Sequence, residues 1–422
     1  MNEAIIKQLV ETFKHDFDLI QDDLGAIEQA VQEKMQLLGQ GLMQRLVSRG
    51  ANGYKGSSMV CKCGGAMKFV QHRKRNIHTV FGWVTVKRAY YYCPDCRAAL
   101  APYDKASGLG SEQLSPGLAK ACCLLAVDDS FEQTSRKIEQ LFGQCVSDDT
   151  VKQVVHQVGS MAHRQQTQEL DGFLADRQIP QAHAEPEKLY VAVDGTTVHE
   201  TDAWHEVKIG CIYWEDERFG EHKRYVGRFD NSEAFSWYVW LEACKCGFRQ
   251  AKEVVYLGDG AAWIRTEHRR HFGRATFIID WFHASEHVWG CGKKLFGEGA
   301  EATEKWVKKR LDWLWDGWTK KLLDDLKEQR KKHRGGKRDA IATLIRYIST
   351  NEKEMRYDVF RAKGYKIGSG AVEGACKHVV GKRLKQSGMI WSRAGSSATL
   401  ALRIGWLNGE WEQLWKKKPL AA

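Results

Sequence analysis

The hydrophobic period of the chain switches from helical to β-type at Lys188, and the order of elements that follows restricts the fold more than any other feature. Leu189–Val193, Val207–Trp214 and Lys223–Phe229 predict three successive strands, with turns around Thr201–Asp202 and Phe219–Gly220. A helix is expected over Ser232–Cys244, capped by Asn231 or Ser232. A strand at Glu253–Leu257, a helix at Trp263–His271 and a strand at Ala275–Ile279 complete the series. Three adjacent strands and then two separated by helices predict one mixed sheet. In it Asp194 and Asp259 fall at the carboxyl ends of neighbouring strands, where open sheets place their ligand sites.

Three acidic signatures accompany this order: VAVDG at Asp194, YLGDG at Asp259 and SGAVEG at Glu373. Each acid adjoins glycine, which lets a backbone or a phosphate approach closely. Acids at strand ends can simply face water. Three of them converging suit a pair of hard cations, two Mg²⁺ or Mn²⁺, acting on phosphodiesters. Asp194 is the candidate bridge, with Asp259 completing one metal shell and Glu373 the other. Asp280 and His283 form a second constellation, DWFH, just past a strand. Asp280 can orient the His283 ring by a hydrogen bond, or serve as a helix cap. After Glu373 come Lys377, Lys382, Arg383 and Lys385, candidate phosphate contacts, and Trp391, which suits either base stacking or the core.

Cys61-x-Cys63 and Cys93-Pro94-Asp95-Cys96 flank a basic, strand-like stretch, the pattern of a structural zinc site on two knuckles. The first pair is one residue short, so His72 or His78 could replace a cysteine that does not reach. Arg73, Lys74, Arg75, Lys87 and Arg88 would turn this zinc ribbon toward phosphates. The formal net charge of +11 points the same way, to a polyanionic partner. No apolar run approaches a membrane span and MNEAIIKQLVETF lacks a signal-peptide core, so no membrane association and a cytoplasmic, nucleoid-associated location are expected.

The remaining segments read as helical. Residues 1–48 carry two stripes, Ile5, Ile6, Leu9, Val10 and Phe13, then Leu24, Ile27, Val31, Met35 and Leu38, as a coiled or packed arm. Ser130–Leu141, Gly143 and a helix capped by Ser147 or Asp148 outline a helix-turn-helix, as any helical hairpin does. Polar residues 161–187 are expected to link this region to the sheet. Tryptophan-rich helices between Asp280 and Glu373, broken near His333–Gly336, read as an insertion.

Taken in order, CKCGG…YYYCPDC, VAVDGT, YLGDGA, IDWFHASEHVW, GSGAVEGACKHVVGKRLKQSGMIWS and LRIGWLNGEW resemble the bacterial insertion-sequence DDE transposases of the ISKra type over residues 60–415. The resemblance implies a multidomain α+β protein with a ribonuclease-H-like α/β core and an all-helical insertion. Its expected parts are an arm (1–58), a zinc ribbon (59–104), a helix-turn-helix-like region with linker (105–187), split core segments (188–283 and 367–422) and the insertion (284–366). It implies Asp194, Asp259 and Glu373 as the catalytic triad and Asp280 and His283 as the Asp-x-x-His element. Its implied substrates are double-stranded terminal inverted repeats and target DNA, handled by a homodimer or larger assembly. The competing expectations are a ribonuclease-H-like nuclease or resolvase, and a catalytically silent zinc-dependent DNA-binding regulator.

Overall fold

The computed structural model describes residues 7, 8, 10–12, 23–50, 52–216, 218, 220–368, 370–417 and 420. Ile5, Ile6, Leu9 and Phe13 of the first expected stripe, and Phe219 of the expected turn, lie outside the described residues. The fold is mixed α+β and divides into two compact units, Met1–Val158 with Glu412–Ala422, and Gly159–Trp411.

In the first unit, helix α1 (Leu24–Arg49) begins at Asp23, whose side chain accepts from the Ala26 amide. A four-stranded antiparallel sheet follows, in the order β1 (Ser58–Val60), β2 (Ala66–Thr79), β3 (Gly82–Tyr92), β4 (Ala99–Leu100). Met67, Ala89 and Tyr91 are buried at one end of the β2–β3 ribbon, and Ile77, Val84 and Val86 at the other. Helices α2 (Pro102–Ala106), α3 (Pro116–Ala126) and α4 (Phe131–Phe142) come next. Ser115 and Ser130 cap α3 and α4, and Gly143 ends α4 at φ 61°.

Helix α5 (Asp148–Asp176) starts where the Ser147 hydroxyl accepts from the Thr150 amide. It runs through most of the segment expected to be a linker. The physical reason is apolar spacing hidden among polar residues: Met161, Ala162, Leu170 and Phe173 are all buried. Leu170 and Phe173 pack with Leu241, Trp237 and Trp240 in the second unit.

The second unit is built on a five-stranded sheet in the order β7-β6-β5-β8-β9. Its strands are β5 (Lys188–His199), β6 (Trp204–Glu215), β7 (Glu221–Arg228), β8 (Glu253–Gly258) and β9 (Thr276–Ile279). Strands β5, β6 and β7 pair antiparallel, whereas β5–β8 and β8–β9 pair parallel. Leu189–Val193 are buried without alternation, as in a strand covered on both faces. Helix α6 (Ser232–Lys245), capped by Asn231, lies so close to β6 that a Cβ at Gly210 would stand 2.9 Å from Val239. Helix α7 (Ala262–His271) crosses from β8 to β9.

Beyond β9 the chain makes four long helices, α8 (Trp281–Phe296), α9 (Glu301–Trp315), α10 (Thr319–Lys332) and α11 (Gly335–Thr350). Val307, Leu314, Leu322, Leu326 and Ile341 are buried in these helices. The chain returns through α12 (Tyr357–Ala362), where the buried Tyr357 hydroxyl donates to the Ile279 carbonyl at 3.0 Å. It then forms α13 (Gly370–Ala375), a π-helical turn at Cys376–Gly381, α14 (Lys382–Leu384) and α15 (Arg393–Leu407).

Helix α5 meets α15 at Gly159, where a Cβ would come 2.1 Å from the Ala398 carbonyl oxygen. Two backbones touch there, so no side-chain adjustment can make room. Gly159→Ala should therefore destabilise the second unit by about 1–3 kcal/mol, read as a lower midpoint in urea unfolding, despite its better helix propensity.

Candidate metal and acidic sites

The parallel strands place the acids in a row. Ala192 faces Leu257 across β5 and β8, so Asp194 and Asp259 follow at one level two residues on. Gly258 faces Ile279 across β8 and β9, so Asp259 and Asp280 stand level one residue later. Neighbouring strands lie about 4.8 Å apart, which brings three carboxylates onto adjacent chains at one height of the sheet. Asp194 does not end its strand, as the sequence suggests. Strand β5 continues to His199 because β6 pairs with it as far as His199–Trp204. What ends near Asp194 is the pairing with β8.

Backbone amides just downstream fix each of these acids. Asp194 Oδ1 accepts from the Gly195 amide at 2.7 Å, and Asp259 Oδ1 from the Ala261 amide at 2.7 Å. Asp280 caps α8 by accepting from the Phe282 and His283 amides at 3.2 and 3.1 Å. The expected hydrogen bond from Asp280 to the His283 ring is replaced by this cap. His283 Nδ1 instead lies 3.7 Å from Glu286. Burial raises the Asp194 pKa and the charge of Asp259 raises it further, against the Gly195 amide, Cys376 and His283. A desolvated carboxylate beside a second one is a site that a cation would relieve.

Glu373 reaches this row from α13, which rests on β5 and β6. Cys376, three residues later on the same helical face, donates its S–H to Asp194 Oδ2 at 3.8 Å. Glu373 thus stands one helical turn, about 5 Å along the axis, from the residue touching Asp194. It is exposed and paired with Lys377 at 2.6 Å. The oxygens of Asp194, Asp259 and Glu373 are not all within 4.8 Å of one another. A carboxylate set around two ions about 4 Å apart spreads more widely than one around a single ion.

Lys385 bonds the hydroxyl of Thr196, which shares the Asp194 face of β5. Lys377 and Lys382 are exposed. Two expected nucleic-acid contacts are not at the surface. Arg383 is fully buried, with Nη1 3.7 Å from Met389 Sδ, and Trp391 is buried with its indole N–H on the Leu384 carbonyl at 3.0 Å. Arg383 lies over the Trp391 ring at 5.0 Å, and Trp391 bridges to Glu200 just past the end of β5. The basic character of Arg383 gave no sign of burial, whereas Trp391 takes the core alternative.

Sequence reasoning missed several neighbours of the row. Cys376 was legible as the i+3 partner of Glu373. Its thiol is pushed up to about 12 by burial and by Asp194, so it stays protonated. Tyr347 of α11 and His287 of α8 stack at 3.7 Å, and the Tyr347 hydroxyl is buried without a hydrogen-bond partner. Burial raises its pKa first, then the charges of Asp259 and Asp280. The Tyr347 carbonyl accepts from Asn351, which in turn accepts from Arg265 of α7. No local pattern marks a tyrosine so far along the chain from the acids it faces.

The four cysteines of the ribbon converge. Cys61 and Cys96 sulfurs lie 3.5 Å apart, Cys63 and Cys93 3.7 Å apart, and all four fall within 4.8 Å of one another. A tetrahedral ion with metal–sulfur bonds of about 2.3 Å needs sulfurs about 3.8 Å apart, so the set can hold a metal. The short first pair reaches because Gly64 adopts φ 89° and the Cys61 amide bonds the Gly65 carbonyl at 2.8 Å. A Cβ at Gly65 would strike Asp95 at 2.1 Å. Neither histidine is needed. His72 packs against Tyr54 and Phe69, while His78 is buried and stacks on Trp83.

On the ribbon Arg73, Lys74 and Lys87 are exposed, and Arg73 lies over Tyr90 at 3.6 Å. Arg75 and Arg88 are not available as the sequence suggests. Both bind Asp104, at 2.9 and 2.7 Å, and Arg75 also bonds the carbonyls of Gly110 and Glu112.

Glu200, Asp202 and His205 form a third group able to chelate a divalent ion, at the β5–β6 turn. It is separate from the row, since Glu200 lies just past the end of β5, six residues or about 20 Å of extended chain from Asp194. Glu200 is only 1% exposed and already accepts from Ser396 at 2.6 Å and from Arg393 at 3.0 Å.

The chain belongs to UPF0236, an uncharacterised protein family whose model matches residues 64–418. A protein described as "UPF0236 protein in vanSb 3'region", from Streptococcus gallolyticus, is 23% identical over 358 residues, 80% of this chain and 74% of that one. The matched segment spans the whole acidic row and begins just after Cys63.

Two outcomes follow from these sites. The cysteine set should retain about one metal ion per chain through purification, and Cys93→Ser should release it, by elemental analysis. Without divalent ions, Asp194→Asn should raise the melting temperature by about 2 °C and remove the stabilisation that Mg²⁺ gives the unmodified protein. Because the folded pKa of Asp194 is raised, its stabilising protonation is complete below its unfolded value of about 4. That contribution is lost as pH rises through the folded value, and Asp194→Asn should flatten the pH dependence.

Proposed function

We propose that this UPF0236 protein is a Mg²⁺-dependent DNA transposase of the DDE type, similar to the ISKra insertion-sequence enzymes. The observation that carries the reading is the level placement of Asp194, Asp259 and Asp280 on three parallel strands, with the helix of Glu373 seated over the first. The strand order, three antiparallel and two parallel with a helical insertion after β9, supports a ribonuclease-H-like core. The Cys61, Cys63, Cys93 and Cys96 set supports a zinc ribbon. Helices α4 and α5 around Gly143 support a helix-turn-helix-like element.

Asp194, Asp259 and Glu373 would hold the two Mg²⁺ ions, which supply charge stabilisation to the attacking and departing oxygens of a phosphodiester. Asp194, between Asp259 and the Glu373 helix, would be the carboxylate placed to serve both ions. Lys377 pairs with Glu373 at 2.6 Å; a cation held by the glutamate would release the ammonium for a DNA phosphate. Lys385 adds a second positive charge at the edge of the row. Asp280 holds the first turn of α8 and so positions His283 and the start of the insertion. The substrates are transposon ends and target DNA. Hydrolysis exposes 3′ hydroxyls, which attack the target directly without a covalent protein–DNA intermediate.

Labelled DNA carrying the flanking element ends, incubated with Mg²⁺, should give cleaved and joined products. Asp194→Ala and Glu373→Gln should each reduce both by about a thousandfold or more while leaving end binding nearly unchanged. Cleavage without joining would favour a nuclease or resolvase. Loss of binding together with cleavage would make the acids structural.

A further inference from the structure

Helix α1 attaches to its unit by the wrong face for an amphipathic helix. None of its residues is buried. Gln32 and Gln36 donate to the Leu141 and Phe142 carbonyls, both at 3.0 Å. Gln40 donates to Trp83, and Gln44 exchanges two hydrogen bonds with Thr85. Gly39 lies against the Phe81 ring, and Met43 and Val47 touch the β2–β3 core from the same side. The apolar stripe stands roughly 140° round the helix from these glutamines. It is left in solvent, with Leu24 71%, Val31 44%, Met35 55% and Leu42 61% exposed.

The stripe has the period of a coiled-coil seam. Leu24, Val31, Leu38 and Arg45 recur every seven residues, and Glu28, Met35, Leu42 and Arg49 recur at the same interval four residues on. Charge is divided along the helix. Residues 23–33 hold Asp23, Glu28 and Glu33 with no lysine or arginine, whereas residues 34–49 hold Lys34, Arg45 and Arg49 with no acid.

We infer that α1 is a dimerisation helix that pairs antiparallel with α1 of a second copy of this chain. Antiparallel coiled coils oppose the two seam positions. One register then sets Leu24 of one copy on Arg49 of the other, Glu28 on Arg45, Val31 on Leu42 and Met35 on Leu38, each twice by symmetry. Two of these layers are apolar and one is oppositely charged, and in the fourth the arginine stem covers Leu24. A parallel pair would stack Glu28 on Glu28, Arg45 on Arg45 and Arg49 on Arg49. The pairing needs no residue of the acidic row and stands apart from the proposed chemistry. The helix also precedes the segment that the family model matches.

Sedimentation equilibrium of the full chain should give a dimer with a dissociation constant on the order of 1 µM. Met35→Glu, at an exposed position that leaves the fold intact by circular dichroism, should weaken it by about a hundredfold. Glu28→Arg should weaken it by about tenfold, and Glu28→Arg with Arg45→Glu should restore it. A monomer at every concentration would overturn the inference. A dimer indifferent to Met35→Glu would place the interface elsewhere. Indifference to Glu28→Arg would overturn the antiparallel register.

Discussion

The in-register parallel pairing of β5 with β8 and of β8 with β9 sets the position of everything chemically notable in the second unit. A slip of one residue would turn an aspartate to the other face of the sheet, away from its neighbours. The register is held by strands buried on both faces, Leu189–Val193 beside Val254–Leu257. Core burial thus holds carboxylates together at a height where their charges repel. Part of that cost is offset by the amides of Gly195, Ala261, Phe282 and His283, each donated to an acid from the chain just beyond it.

The same strand ends organise the helices. Asp280 both closes β9 and opens α8, so the helical insertion leaves the sheet at the row itself. The return segment is tied to that exit by Tyr357 on the Ile279 carbonyl and by the Trp281 amide on the Ile367 carbonyl. Glu373 follows within the next helix, and the π-helical turn at Cys376–Gly381 rests against β5. Such turns recur at functional sites because they re-aim side chains within a helix. Here the first residue of the turn is the one that touches Asp194.

Much of this was legible in the chain. The strands and helices from Lys188 to Ile279 follow the predicted order because hydrophobic period and caps such as Asn231 are local signals. Asp194, Asp259 and Glu373 could be singled out because each adjoins glycine next to an apolar run or a helix start, although β5 runs on past Asp194. The cysteine knuckles were legible too, although only the turn at Gly64 shows how the short pair reaches. What stayed hidden depends on tertiary burial. Arg75, Arg88 and Arg383 look like phosphate contacts in sequence, yet Asp104 binds the first two and the core encloses the third. Residues 161–176 look like a linker until Leu170 and Phe173 find the tryptophans of α6. Tyr347 carries no local mark at all.

The most direct test of the account is where divalent ions bind. Crystals soaked in Mn²⁺ and measured at the manganese edge should show anomalous density between Asp194 and Asp259, with a second peak toward Glu373. Density only at Glu200, Asp202 and His205, or none at the acidic row with DNA present, would contradict the assignment of these carboxylates as the catalytic centre.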